Sequence, residues 1–284
     1  MADVMMHFDE KTLCPFMSKE EMKTKAPYIF ADKPTNGSVS ERYTLASTET
    51  LIDDMAKLGW GVTECKQQRA NKRSNVRSFH MCCFQNPNVY IEGEDGTIEA
   101  YPRVIITNSH DGFHSFKFMI GLYRLVCSNG LVLATQEFAN VSIRHINYDF
   151  EELRRIVAQA IEATRKNVEV MNAMQETELT EEQKVEFATK AVAIRKGIKE
   201  DEKMPKLSEN EVKEILEPVR KEDEGNNLWS VFNVIQEKIM KGDFHLGKTK
   251  LGKNRKARPI TGAAKDIEVN QKLFETASSY LLAA

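Results

Sequence analysis

The segment NSHDGFH, Asn108 to His114, gathers an amide, a hydroxyl, two imidazoles, a carboxylate and a glycine into one short stretch. His110, Asp111 and His114, joined by His80 or His145, have the residue types of a metal or acid–base cluster. A turn accounts for them more plainly. Asp111-Gly112 between VIITN and FHSFKF is a strong hairpin signal, because glycine accepts positive φ and the aspartate caps its own turn. His110 and His114 straddle that tight turn and need not converge, while Asn108 and Ser109 can satisfy loop amides. Cys127 with His145 has the types for nucleophilic catalysis, but no spacing supports the pairing and a buried structural thiol is the simpler account. No catalytic residue, metal ligand or cofactor follows from these types.

Gly242 to Thr249 reads GDFHLGKT, a literal match to the phosphate-loop pattern G-x-x-x-x-G-K-[ST]. Such a loop works when it follows a buried strand and opens a helix, whose free amides then hold the phosphates. Here the helical period of LWSVFNVIQEKIMK precedes it, and KLGKNRKARP, rich in charge, Gly and Pro, follows. Both contexts argue against a nucleotide loop. The same place offers phosphate contacts of a different kind: Lys248, Lys250, Lys253, Arg255, Lys256 and Arg258 form one run with no acid among them. A solvated loop whose charge serves solubility is the alternative. A second basic cluster, Lys66, Arg69, Lys72, Arg73 and Arg77, is opposed only by Glu64. The chain carries 40 Lys and Arg against 42 Asp and Glu, a formal net charge of −2, so no global basic field advertises a nucleic-acid partner. Two concentrated basic segments in such a chain imply a polarised surface, suited to following a nucleic-acid backbone.

The elements that must position these residues change texture along the chain. Residues 1–46, with Pro15, Pro27, Pro34 and PTNGS, read as an arm or irregular lead-in. STETLIDDMAKLGW is a short amphipathic helix with Ser47 as N-cap and Gly59 as stop. From Trp60 to Asn147, runs such as GVTECKQQRA, RSFHMCCF, PRVIITN, HSFKFMIG and NVSIRHIN predict mostly antiparallel sheet. In YRLVCSNGLVLA, Asn129-Gly130 suits either a hairpin turn or a helix stop. EELRRIVAQAIEATRKNVEVMNAM is a long helix, capping boxes at Thr180 and Ser208 open two more, and LWSVFNVIQEKIM and AAKDIEVNQKLFETASSYLL complete the set. The fold class is α+β: an N-terminal, mostly antiparallel sheet with a short helix, then a long helix and further C-terminal helices. Residues 47–284 read as one domain, sheet-rich over 47–148 and helical over 149–284. The five cysteines, Cys14, Cys65, Cys82, Cys83 and Cys127, show no CxxC spacing and suggest buried thiols in a reducing compartment. No apolar run approaches the roughly 18 residues of a membrane span, and MADVMMHFDEKT lacks the basic-then-apolar order of a signal peptide, which points to the cytoplasm.

The order of motifs carries a resemblance. NSHDG, then GLYRLVCSNGLV, then VSIRH before a long helix, with FHMCCFQ upstream and LWSVFNVIQEKIMKGDF downstream, closely resembles the phage/plasmid-like family called domain of unknown function 932. The residues carried over are Asn108, Ser109, His110, Asp111 and Gly112, then Arg124, Cys127 and Asn129, then Arg144 and His145; Leu125 stands where many members have valine. The resemblance implies a setting in bacteriophages, plasmids and other mobile elements, and no settled activity. The sheet-then-long-helix order with basic strand ends is also similar, in architecture alone, to RecT and Erf-type single-strand annealing proteins. The expectation is a non-catalytic binder of single-stranded DNA, working as a homo-oligomer. In it the two basic segments converge on phosphates, an aromatic such as Trp60, Phe79 or Phe84 stacks a base, and the histidine turn is scaffold. A modulator of a host or phage protein is the alternative, and a metal-dependent nuclease built on His110, Asp111 and His114 a third.

Overall fold

Ser18, Ser47, Thr180, Ser208 and Asn227 each stand one residue before a helix and accept a hydrogen bond from the backbone N–H three residues on. These caps satisfy otherwise orphaned helix amides and fix where each helix begins. At Ser18, Thr180 and Ser208 the side chain of the third helical residue, Glu21, Gln183 or Glu211, closes a capping box.

The computed structural model describes residues 16–35, 47–68, 78–92, 98–112, 114, 116–124, 130–133, 150–199, 202–242, 244–248 and 254–281. In chain order the elements are α1 (Lys19–Lys25), α2 (Thr48–Lys57), β1 (Gly61–Gln67), β2 (His80–Gln85), β3 (Ile91–Glu92), β4 (Ile98–Asn108), β5 (Lys117–Arg124) and β6 (Gly130–Leu133). Then come α3 (Phe150–Glu176), α4 (Glu181–Lys196), α5 (Glu209–Leu216), α6 (Leu228–Lys241), β7 (His245–Lys248), β8 (Asn254–Lys256) and α7 (Ala263–Leu281). The α+β class stands, with the antiparallel sheet first and helices after. Contacts gather the chain into two compact units, Met1–Lys166 with Gly262–Ala264, and Asn167–Thr261 with Lys265–Ala284.

In the first unit the sheet order is β1-β2-β4-β5-β6, with β3 beside β4, and every pairing is antiparallel. β2 is buried along its whole length, as a strand covered on both faces must be. Cys82 and Cys83 therefore take opposite faces; Cys65 lies across from Cys82, and all three are buried. Burial pushes the Cys65 thiol up to about 11 and raises Cys82 well above its ordinary value. The ambiguous YRLVCSNGLVLA resolves as a hairpin, since Tyr123 pairs with Gly130 and Ile120 with Leu133. The lead-in, expected to be irregular, contains α1, whose Ser18–Glu21 capping box was not recognised among the prolines. Its Met17 N–H donates to Val62 O on β1, and Gly61 lacks the Cβ that would collide with the Phe16 ring.

In the second unit, α4, α6 and α7 share an aromatic core: Phe187 stacks on Phe232 at 6.5 Å between ring centroids, and Phe232 meets Phe274 edge-on at 5.9 Å. Buried Asp223 and Glu237 both receive Arg220, and Lys241 also reaches Glu237, so the buried charges are paired. GDFHLGKT runs from the end of α6 into β7, helix to strand, which is the reverse of a phosphate loop. Its first glycine has a packing role. Gly242 ends α6 at φ 79° and ψ −144°, a conformation almost confined to glycine, and a Cβ there would meet Ala257 O at 2.8 Å. The chain after β8 therefore lies directly on the end of α6, and Ile260 N–H donates to Met240 O at 2.9 Å.

Gly242→Ala adds both strain and collision and is expected to cost about 2–4 kcal/mol in urea unfolding. Gly197→Ala, at φ 73° with open space around it, should cost only about 1 kcal/mol. Equal losses would show that the close approach contributes nothing.

Candidate anion-binding pocket

The histidine turn comes together because β2 and β4 place His80 opposite Asn108. His80 Nδ1 lies 2.7 Å from Ser78 O, which can only accept, so Nδ1 carries the proton. Nε2 then accepts from Thr48 Oγ1 at 2.8 Å, and Thr48 Oγ1 accepts from Asn108 Nδ2 at 2.9 Å. Asn108 Oδ1 accepts from Ser109 N–H, Ser109 Oγ donates to Asp111 Oδ1 at 2.7 Å, and Ser78 Oγ accepts from His110 N–H at 2.9 Å. Asn108, Ser109 and His110 are fully buried. Desolvation, aided by the neighbouring His110, pushes His80 down to about 3.

Gly112 has the expected positive φ of 78°, but the two-residue hairpin does not form. Pairing stops at Thr107 and Lys117, and the wider loop between them is filled by its own Ser109 and Asp111 bonds. His110 packs against His80 and His114 against Phe79, so the two loop imidazoles do not share a site. Among the described residues no three His, Cys, Asp or Glu side chains are grouped to hold a metal ion. Sealed and internally bonded, this cluster can rigidify the sheet end but presents no open face to a substrate.

An open pocket lies elsewhere among the described residues. In the second unit, a pocket of about 820 Å³ is lined by Arg195, Lys196, Arg255, Lys256, Arg258 and Lys265, with Leu246, Ala257 and Ile260 between them. Arg195 and Lys196 end α4, Lys265 lies in the first turn of α7, and the rest come from the β7–β8 hairpin and the strap after it. No carboxylate is among the described lining residues. Arg195 holds the wall together: its guanidinium donates to Ile239 O at the end of α6 and to Arg258 O on the strap. Burial and the nearby Arg255 charge lower its pKa, yet arginine remains cationic. Lys265 shares its charge with Glu268 at 3.2 Å. Glu214 on α5 accepts from His245 N–H at 2.8 Å and contacts Nδ1 at 2.7 Å. Burial pushes Glu214 up, but the His245 bonds and the Lys256 charge bring it below its usual value. Lys196, Arg255 and Arg258 are exposed and have no carboxylate partner among the described residues. Converging cations on a fixed backbone can hold an anion.

Of the C-terminal basic run, Arg255, Lys256 and Arg258 thus meet at one place; Lys248 lies on β7, and Lys250 and Lys253 fall outside the described residues. Of the other cluster, Lys66 pairs with Glu64 at 2.7 Å, and Glu64 also receives Arg103 at 3.0 Å. Arg69, Lys72, Arg73 and Arg77 fall outside the described residues, as do Cys127, Asn129, Arg144 and His145; Arg124 ends β5. Arg195 and Lys196 were missed from sequence, where basic residues in a helix's last turn read as ordinary complements of its dipole, and Lys265, in the first turn of α7, carried no local signal at all.

A sheet unit stabilised by a buried polar turn, and a helical unit bearing a cationic pocket, define an α+β protein of a type for which no solved structure matches. The chain belongs to the family described as Domain of unknown function (DUF932), matched over residues 36–274. It is similar to the UPF0380 protein YfjQ of Escherichia coli (strain K12), 28% identical over 266 residues spanning 93% of this chain and 92% of that protein. It is likewise similar to the UPF0380 protein YafZ of the same strain, 29% identical over 273 residues, with 93% and 92% covered. None of these descriptions states an activity. Among the described residues no helix is long and apolar enough to cross a membrane.

A neutral buried His80 makes a testable demand on stability. Its folded-state pKa, about 3, lies below the ordinary 6.5, so the unfolded chain binds the extra proton. Stability should be full above pH 6.5 and fall as pH drops toward 3, by at most about 1.4 kcal/mol per pH unit from this one group. Unfolding free energy measured between pH 6.5 and 5, above the carboxylate range, should show this slope in the wild type and lose it in His80→Gln.

Proposed function

We propose that this protein binds single-stranded DNA without catalysing a reaction, holding phosphates in the cationic pocket of its second unit. The observation that carries the reading is the convergence of Lys196, Arg255, Lys256 and Arg258 around one opening with no carboxylate among its described lining residues. Phosphate contacts of this kind are independent of base sequence, as strand annealing requires. A bacteriophage or plasmid setting, a cytoplasmic location and assembly into a homo-oligomer along the strand belong to the same proposal. The loop cluster Lys66, Arg69, Lys72, Arg73 and Arg77 is left out of it, since Lys66 already has Glu64 and the others fall outside the described residues. The chain's own surface gives the pocket its preorganisation: the strap is fixed through Arg195 and Gly242, so little loop ordering is needed when an anion arrives.

Fluorescence anisotropy with a labelled unpaired oligonucleotide of about 30 nucleotides, longer than a typical single-strand site, tests the proposal. Binding is expected at low salt and should weaken steeply as salt rises. The triple variant Arg255→Ala, Lys256→Ala, Arg258→Ala should bind at least about tenfold more weakly. Its slope of log affinity against log salt should be shallower by about 2, since each contacted phosphate contributes roughly 0.7 on single strands. No retention of the oligonucleotide at low salt, or an unchanged slope in a folded triple variant, removes the proposal.

A further inference from the structure

Resting on that reading, we infer that the pocket receives the end of a strand, through a terminal phosphomonoester, and not a run of internal backbone. Three features lead there. The first is shape: about 820 Å³ lies within the roughly 300–1,000 Å³ of pockets that enclose small ligands, whereas non-specific single-strand sites are grooves that follow 4 to 16 nucleotides or so. The second is chemistry of the wall. Single-strand grooves alternate cations with aromatic rings on which bases stack. The described apolar lining is Leu246, Ala257 and Ile260, with no ring among the described lining residues, so these residues can grip phosphate and offer bases no platform. The third is charge density. Lys196, Arg255 and Arg258 are exposed cations without a described carboxylate partner, and they converge on one opening. An internal phosphodiester brings one negative charge and two ester oxygens. A terminal phosphomonoester brings about −1.5 to −2 at neutral pH and three acceptor oxygens, which matches several converging donors.

Arginine is suited to this as well as lysine, because its planar fork can take two phosphate oxygens at once. Arg255 and Arg258 have their forks available, whereas Arg195 directs its own to the carbonyls of Ile239 and Arg258. Arg258 thereby sits on a residue whose carbonyl is anchored while its side chain remains exposed. The bound group is chemically a dense phosphate, and a free nucleoside triphosphate shares that chemistry, so both sources must be compared.

The test uses the full-length protein and one labelled single-stranded sequence in four forms: 5′-phosphorylated, 3′-phosphorylated, hydroxyl at both ends, and covalently closed into a circle. At least one phosphorylated form should bind about tenfold tighter than the hydroxyl-ended strand and the circle, as added charge-assisted bonds to a second negative charge require. Lys196→Ala and Arg258→Ala should each remove most of that advantage, bringing the ratio of affinities between phosphorylated and hydroxyl-ended strands close to one. Inorganic tripolyphosphate should likewise compete the advantage away. Equal affinity for all four forms overturns this inference and leaves single-strand binding standing. No binding of any form overturns both. A nucleoside triphosphate binding as tightly as the phosphorylated strand overturns the strand-end assignment in favour of a free nucleotide.

Discussion

The second unit depends on one close approach: the backbone at Ala257 and Arg258 lies against Gly242, where α6 ends. Only a residue without Cβ, and with φ near 79°, leaves room for it. Once the strap is there, Arg195 can span from Ile239 O to Arg258 O, and Ile260 can bond back to Met240. On the other side, Glu214 receives both the backbone and the ring of His245 at the start of β7. The hairpin and strap are thus tied to α4, α5 and α6 by backbone atoms as much as by side chains. Cations mounted on such a frame keep their spacing before any ligand arrives, which distinguishes the pocket from a run of lysines on a loop.

The first unit has the opposite arrangement. Its chemically richest residues are turned inward and occupied with one another: Thr48, Ser78, His80, Asn108, Ser109 and Asp111 form a chain of bonds at the meeting point of α2, β2 and β4. A buried polar chain of this kind is costly if a partner is missing and specific when each is present. Its fixed tautomer at His80 follows from the Ser78 carbonyl, and its neutral state from exclusion of water. Such a cluster specifies how the helix start meets the sheet end, and that is a structural use of residue types which, in a cleft, would suggest catalysis.

The difference between the two units explains what was legible in the sequence. Capping boxes at Thr180 and Ser208, the cap at Ser47 and the helical period of LWSVFNVIQEKIM are local signals, and each marked its helix correctly. The strands of β1, β2, β4 and β5 were equally plain from their β-branched and aromatic runs. The helical alternative for YRLVCSNGLVLA fell only to pairing, because Asn-Gly serves both a hairpin and a helix stop. The wide loop after β4 was read as a tight turn since Asp-Gly dominates the local signal, while the bonds that open it come from Ser109 and from Ser78, more than 30 positions upstream. The pocket was half legible. Arg255, Lys256 and Arg258 announce themselves as a run, but Lys196 and Lys265 reach them only through tertiary packing, for which no spacing in the sequence is a guide.

A net charge of −2 does not oppose a polyanion site, because the relevant field is local. At about 0.1 M salt the Debye length is near 10 Å, so acids on distant surfaces are screened from an anion in the pocket, while cations lining it are not. Glu268 is already paired with Lys265 and Glu214 with His245, whereas Lys196, Arg255 and Arg258 have no carboxylate partner among the described residues. Cations of that kind, lining one small pocket, focus attraction on a small and highly charged group. A strand that terminates in the pocket places its most highly charged phosphate among them.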